Sequence, residues 1–339
     1  MTPVDRSILL VGCYTAETGG IGRGVTVLVE SDDGWVPAGE CGLVSPSWLT
    51  VHPRLPVVYA ATESTDGSVT ALELGGDGAL TSLGSRATGG ADPCHLAVSP
   101  GGRFLLATNY SGGSVAVFGL ARDGALTRRT DLRQQFGTGP VADRQEAAHP
   151  HMVTFDGPDT VVVADLGADS LFGYRIETDG RLSGLSHSVL PPGTGPRQLV
   201  RAGRRWLLAA ELSGELLTLN GSAENGFTVT GSVPASGKRG PTFPAQLTPT
   251  SDRALALLSN RGPDTLAVFD ITGELPRMLS ETDVGPGWPR HFCVAGDEIL
   301  VALQEGNQVR RFGFDPGTAA LTERGGWDTG SPTCLLPLS

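Results

Sequence analysis

Short runs of apolar and β-branched residues, each ended by a Gly, Pro, Asp or Ser break, recur along this chain in step with a single proline. That proline is followed three residues later by an apolar side chain at Pro46, Pro93, Pro150, Pro196, Pro244, Pro289 and Pro332, at intervals of 47, 57, 46, 48, 45 and 43 residues. Periods of this size belong to four-stranded propeller blades. Pro46 opens PSWLTVHPRLPVVYAATESTDGSVTALEL, Pro93 opens PCHLAVSPGGRFLLATNYSGGSVAVFGL and Pro244 opens PAQLTPTSDRALALLSNRGPDTLAVFDI; each reads as strand, turn, strand, polar corner, strand. A fourth run follows an Asp-Gly turn at Asp77-Gly78, Asp123-Gly124 and Asp179-Gly180, where glycine supplies the positive φ a tight hairpin needs. The pattern predicts an all-β, seven-bladed β-propeller with four-stranded blades.

The seventh anchor has too little chain after it for a blade, since Pro332 leads only into TCLLPLS. Ser7 to Thr15 (SILLVGCYT) matches the second strand of the other repeats and Gly24 to Glu30 the third. The last blade is therefore expected to be closed by N- and C-terminal strands, with the C-terminal strand innermost, which hides the sheet edges. The repeats run end to end without a linker, so residues 1–339 are expected to form a single domain.

Composition adds exclusions. The 48 glycines and 24 prolines suit a turn-rich all-β body, and 39% hydrophobic residues suffice for a core. A net charge of −11, a pI near 5.0 and the lack of a Lys/Arg cluster argue against nucleic acid as a partner. The apolar run Ile8 to Val11 is too short to span a membrane and lacks a signal peptide's flanks, so no membrane partner and a cytoplasmic location are expected. Five cysteines without C-x-x-C spacing read as buried thiols.

In a propeller the start of each first strand and the end of each second strand meet at one channel mouth. The residues after the anchors are Ser47, Cys94, His151, Arg197, Ala245, Arg290 and Thr333; the second strands end at Cys13, Thr62, Asn109, Asp165, Glu211, Asn260 and Gln304. The next column adds Tyr14, Glu63, Tyr110, Arg261 and Glu305. Guanidinium groups with a histidine suit an anionic, oxygen-rich small molecule and proton transfer. His149-Pro150-His151 could alternatively form a metal pair with Asp165 or Glu211, since alternate strand residues share a face. By the same alternation His95 and His291 are expected to turn away from the first column, and His52 and His187 to face solvent. The run Gly19 to Gly24 reads as a hairpin loop rather than a phosphate loop, because no helix follows it.

The segments Arg144 to His151 (RQEAAHPH), Val161 to Gly167 (VVVADLG), Gly195-Pro196-Arg197, Glu211-Leu212, Ser259-Asn260-Arg261-Gly262 and Trp288 to Phe292 (WPRHF) resemble the lactonase-type seven-bladed propellers. That group includes bacterial 6-phosphogluconolactonases and fungal carboxymuconate cyclases, and the resemblance spans almost the whole chain. It implies a catalytic set of His151, Arg197, Glu211 and a second arginine, Arg261 or alternatively Arg290. Gln198 stands where a histidine is common in the family. Arg290, Asp165, Asn109 and Asn260 are the expected substrate contacts. The resemblance implies hydrolysis of a small anionic lactone, most closely 6-phosphogluconolactone, with no cofactor and no metal. A muconolactone cycloisomerase and a non-catalytic interaction scaffold are the alternatives.

Overall fold

Six of the anchor prolines open the innermost strand of a four-stranded antiparallel sheet, and Pro244 is the second residue of its strand, Phe243–Pro249. The computed structural model describes residues 7–31, 34–76 and 78–338. Blades 1 to 6 are residues 46–87, 93–134, 150–189, 196–234, 243–283 and 289–328. Blade 7 is composite, ordered Pro332–Leu338, Ile8–Cys13, Val25–Ser31, Gly34–Cys41 from the inside outwards. Each innermost strand packs on that of the next blade, and Pro332–Leu338 packs on Pro46–Val51, so the ring closes as expected. Gly78, Gly124 and Gly180 take positive φ of 85°, 86° and 85°, although Asp77, the first residue of one Asp-Gly turn, lies outside the described residues.

The continuous apolar runs of the second strands follow from burial on both faces. On Arg205–Ala210, Trp206, Leu208 and Ala210 face blade 3, whereas Leu207 and Ala209 face blade 5. On Leu255–Arg261, Leu255 and Leu257 pack towards blade 6, and Ala256 and Leu258 towards blade 4. Seven such cores, one between each pair of neighbouring blades, replace a single central core. Each fully buried Leu or Val contributes about 1.5–3 kcal/mol. Outer strands such as Leu80–Ala87 are largely exposed and carry the polar sequence.

A β-bulge directly follows the anchors. Pro46 pairs with Thr62 but Trp48 with Ala61, leaving Ser47 unpaired, and the same shift occurs after Pro93, Pro150, Pro196 and Pro289. In blade 5 Ala245 and Gln246 together oppose Ser259, and in blade 7 Thr333 is the unpaired residue. A bulge breaks the period-2 alternation of side chains. His95 and His291 are therefore not turned out of the channel: they line it beyond the first ring with Trp48, Met152 and Gln246. The Trp48 ring lies 4.3 Å from His95 and 5.4 Å from His291. Burial pushes both histidines down to about 3, so they are neutral.

Corner residues set the next blade's entry. Asp169 (φ 46°) accepts from the N–H groups of Gly193 (2.6 Å) and Gly195 (2.7 Å), fixing the turn into Pro196-Arg197. Asp264 (φ 53°) does the same for Gly287 (2.9 Å) and Trp288 (3.2 Å), and Asn307 (φ 53°) for Ser331 (2.9 Å). Asp and Asn tolerate this left-handed backbone better than most residues. His52 departs from expectation: it is buried, with Nδ1 accepting from Arg54 N and Leu55 N at 3.2 and 3.1 Å. His187 is exposed and stacks on Phe172 at 4.4 Å. All five cysteines are free thiols, four buried and Cys41 half-buried. No helix is long and apolar enough to cross a membrane among the described residues.

Candidate active site at one channel mouth

Strand register decides which side chains reach the mouth. Thr62, Asn109, Asp165 and Asn260 sit opposite the anchor prolines, but in blades 4 and 6 that place is taken by Ala210 and Leu303. Glu211 therefore shares the next position with Tyr14, Glu63, Tyr110, Arg261 and Gln304, one residue on from where the sequence alignment of repeats put it. Asn109, Asp165 and Asn260 are fully buried behind the mouth. Their hydrogen bonds go to blade corners and to the connections that enter their blades. Asn109 donates to Ser114 Oγ (3.0 Å), Asn260 to Ala235 O (2.7 Å), and Asp165 Oδ1 accepts from His149 N (2.7 Å) and Ala168 N (3.0 Å). Burial pushes the Asp165 carboxyl up to about 6.

His151, Arg197, Glu211 and Arg261 converge. Arg197 Nη1 lies 2.6 Å from His151 Nε2 and 2.6 Å from Glu211 Oε2, and Arg261 Nη2 is 2.7 Å from the same Glu211 oxygen. Arg197 and Arg261 place their guanidiniums by opposite routes: one from the bulge after Pro196, the other from the last residue of a second strand. Because a guanidinium has no acceptor, the short contact fixes His151 Nε2 as the acceptor and leaves the proton on Nδ1. Burial, reinforced by Arg197, holds His151 well below its ordinary value, so the ring is neutral. Burial alone would raise Glu211, but Arg261 and Arg197 outweigh it and hold the carboxyl well below the usual range. Burial pulls Arg261 down to about 9, opposed by Glu211.

Two further residues complete this half. Arg144 Nη2 donates to the other Glu211 oxygen, Oε1, at 2.7 Å and to Tyr110 Oη at 3.3 Å. Trp288, held at φ 62° by Asp264, packs 5.2 Å from the Arg261 guanidinium. A positive φ on a bulky side chain is uncommon and fits a functional position. Neither residue was singled out by the sequence reading. The signal for Arg144 was present: the 57-residue interval between Pro93 and Pro150 exceeds all others, and the surplus forms the connection that carries it.

The opposite half is built differently. Arg290 is 3.4 Å from Glu63 Oε2 and 3.4 Å from Gln304 Oε1, and its guanidinium lies 4.8 Å from the Tyr14 ring, whose hydroxyl donates to Glu63 Oε1 at 2.6 Å. Of the two candidates for the second arginine, Arg261 contacts Glu211, whereas Arg290 pairs with Glu63. The metal alternative finds a different arrangement: His149 Nε2 lies 3.0 Å from Glu146 Oε1 and Nδ1 3.0 Å from Tyr110 O, so the bulge separates it from His151. Among the described residues no three His, Cys, Asp or Glu side chains converge as an ion site requires.

The family model of the lactonases described as seven-bladed β-propellers matches residues 8–337. The chain belongs to this lactonase family. Lactonases of this family are carboxylic ester hydrolases, and the chain is an enzyme of that class. It is 30% identical over 298 residues to the 6-phosphogluconolactonase of Bacillus subtilis, covering 83% of each chain. It is 26% identical to the 6-phosphogluconolactonase of Formosa agariphila, covering 92% of this chain and 94% of that one. Among solved structures, the periplasmic gluconolactonase of Pseudomonas aeruginosa superimposes with a TM-score of 0.90 at 26% identity, covering 99% of both chains.

Proposed function

We propose that this lactonase hydrolyses a sugar lactone, most closely 6-phosphogluconolactone to 6-phosphogluconate, at the mouth formed by His151, Arg197, Glu211 and Arg261. The observation that carries this reading is the chain of contacts from His151 through Arg197 to Glu211, 2.6 Å at each step, in a channel mouth with a surplus of guanidinium groups. The relatives' names supply the substrate class.

In the resting site the His151 lone pair is occupied by Arg197. A lactone carbonyl entering the mouth competes for the Arg197 N–H, and as Arg197 turns to the carbonyl oxygen it releases His151 Nε2. Water then loses a proton to Nε2 while its oxygen adds to the carbonyl carbon, and Arg197 with Arg261 holds the developing oxyanion. Collapse breaks the bond to the ring oxygen, which takes the proton back from His151, leaving the open-chain hydroxy acid. Glu211 keeps both guanidiniums aimed, and Arg290 lines the far wall. The free, mostly buried thiols suit a reducing compartment, in keeping with a cytoplasmic enzyme of the pentose phosphate pathway.

The test is a side-by-side assay of 6-phosphogluconolactone, unphosphorylated gluconolactone and a muconolactone, followed by proton release and product identification. Hydrolysis of the phosphorylated lactone with the highest kcat/KM is expected. Isomerisation of the muconolactone without water uptake, or no turnover of any of the three, would sink the reading.

A further inference from the structure

The connection between the outer strand of blade 2 and the inner strand of blade 3, residues 135–149, reaches the mouth through Arg144 and is firmly seated. Gln145 is fully buried, donates to Leu166 O at 2.8 Å and accepts from Val141 N at 3.1 Å. A side chain at Gly139 would overlap the Gln145 carboxamide, and one at Gly167 the Ala147 carbonyl, so both glycines are needed for this close approach. The His149 ring stacks on Tyr110 at 4.5 Å with 14° between planes. Arg144 leaves this anchored turn for Glu211 and Tyr110.

Three features separate Arg144 from the other arginines. Its side chain is 35% exposed, against 7% for Arg197 and 6% for Arg261, so it stands at the entrance of the cluster. Its charge is incompletely balanced: three guanidiniums contact the single Glu211 carboxylate beside a neutral His151, and the exposed Glu146 carboxylate, which also feels Arg144, offsets the excess only in part. Arg290, by contrast, has Glu63 to itself and the Tyr14 ring on one face. Arg144 uses Nη2 for both of its contacts, so the remaining donors of its fork are available to an oxyanion.

We infer that Arg144, with the Tyr110 hydroxyl beside it, receives the phosphate monoester carried by the substrate away from its lactone carbonyl, and so sets the preference for a phosphorylated lactone. The inference rests on the lactonase reading above and gives the phosphate to Arg144 rather than to Arg290, the substrate contact expected on the far wall. A phosphate monoester brings about two negative charges at neutral pH, which suits a cluster with more guanidiniums than carboxylates. Glu211 then links the two ends of the substrate: one oxygen faces the arginine at the phosphate, the other the arginines at the carbonyl.

The experiment compares wild type, Arg144→Gln, Arg144→Lys and Arg290→Gln on phosphorylated and unphosphorylated gluconolactone, and titrates each protein with inorganic phosphate by calorimetry. Arg144→Gln should lower the ratio of kcat/KM for the phosphorylated over the unphosphorylated lactone about tenfold or more, mainly through KM. Arg144→Lys should recover part of that ratio, and phosphate binding should weaken by a similar factor in Arg144→Gln. Equal losses on both lactones would show that Arg144 merely steadies Glu211 and would overturn the inference. So would a larger fall in the ratio for Arg290→Gln, or phosphate binding indifferent to Arg144. If wild type turns over neither lactone but still binds phosphate through Arg144, the anion site stands and the lactonase reading falls.

Discussion

The two halves of the channel mouth use the same residue types to opposite ends. On the side of blades 3 to 5, one buried glutamate faces three arginines and a neutral histidine; on the side of blades 6, 7 and 1, one arginine faces one glutamate, with a tyrosine closing both. Burying unpaired charge is costly, so the surplus is retained at a cost in stability. The balanced half is self-sufficient. The difference makes charge count, rather than the presence of arginine, the basis for placing the proposed anion site.

Removing Glu211 gives the sharpest test of that contrast. Glu211→Gln leaves three guanidiniums facing one another and should cost about 3–5 kcal/mol in urea denaturation, together with nearly all lactone turnover. Glu63→Gln, in the balanced pair whose side chains keep 15% and 16% exposure, should cost less, about 2 kcal/mol. Equal costs would erase the distinction between the halves.

His151→Ala should reduce kcat about 10²-fold or more while leaving the thermal midpoint within a few degrees, because the residue lies at the channel mouth outside the inter-blade cores. Arg197→Ala should likewise act on kcat, whereas Arg290→Ala, across the mouth, should leave kcat closer to wild type. A kcat loss for Arg290→Ala as large as that for Arg197→Ala would place the chemistry on the wrong half.

The pH–rate profile sharpens the same picture. His151 is held well below its ordinary value by burial and Arg197, so its neutral form persists throughout the range from pH 8 down to pH 6. The profile of kcat/KM should show no His151 inflection there. An acid limb near pH 6.5 that vanishes in His151→Gln would mean that Arg197 does not sit on Nε2 in solution.

A purely pH-linked stability effect is expected just behind the cation-rich half. Asp165 is raised to about 6 in the folded state by burial, against about 3.9 unfolded, so the native state holds the proton more tightly. The stability gained from that proton is complete below about pH 4 and lost as pH rises through 6. Asp165→Asn, which copies Asn109 and Asn260 at the same position in blades 2 and 5, should remove this dependence. The variant should gain on wild type by up to about 3 kcal/mol above pH 6 and by nothing near pH 4. A parallel pair of stability curves would refute it.

Legibility in the sequence followed the range of each signal. The anchor prolines, the Asp-Gly turns and the doubly buried second strands are local patterns, and each carried over into the blades. The orientation of His95, His149 and His291 did not, because an unpaired residue after each anchor resets the alternation and leaves no compositional trace. Glu211 stands in the family motif, but its strand position is one residue on from the repeat alignment, since Pro196 pairs with Ala210, as Pro289 pairs with Leu303 in blade 6. Arg144 stood inside a quoted motif but had no strand position to rank it by.

By itself the sequence determined the seven-fold ring, its composite closure and the gathering of arginine and histidine at one mouth, because repeat spacing and period-2 patterning are one-dimensional properties of the chain. The tertiary structure alone decided which charges meet. Glu211 draws its partners from positions 144, 197 and 261, and Arg290 finds Glu63 at a separation of 227 residues. Such pairings depend on ring closure, on bulges that turn two neighbouring side chains into the channel and on a loop seated by Gln145. None of these shows in the apolar pattern of the chain, and charge balance at the mouth is their joint product.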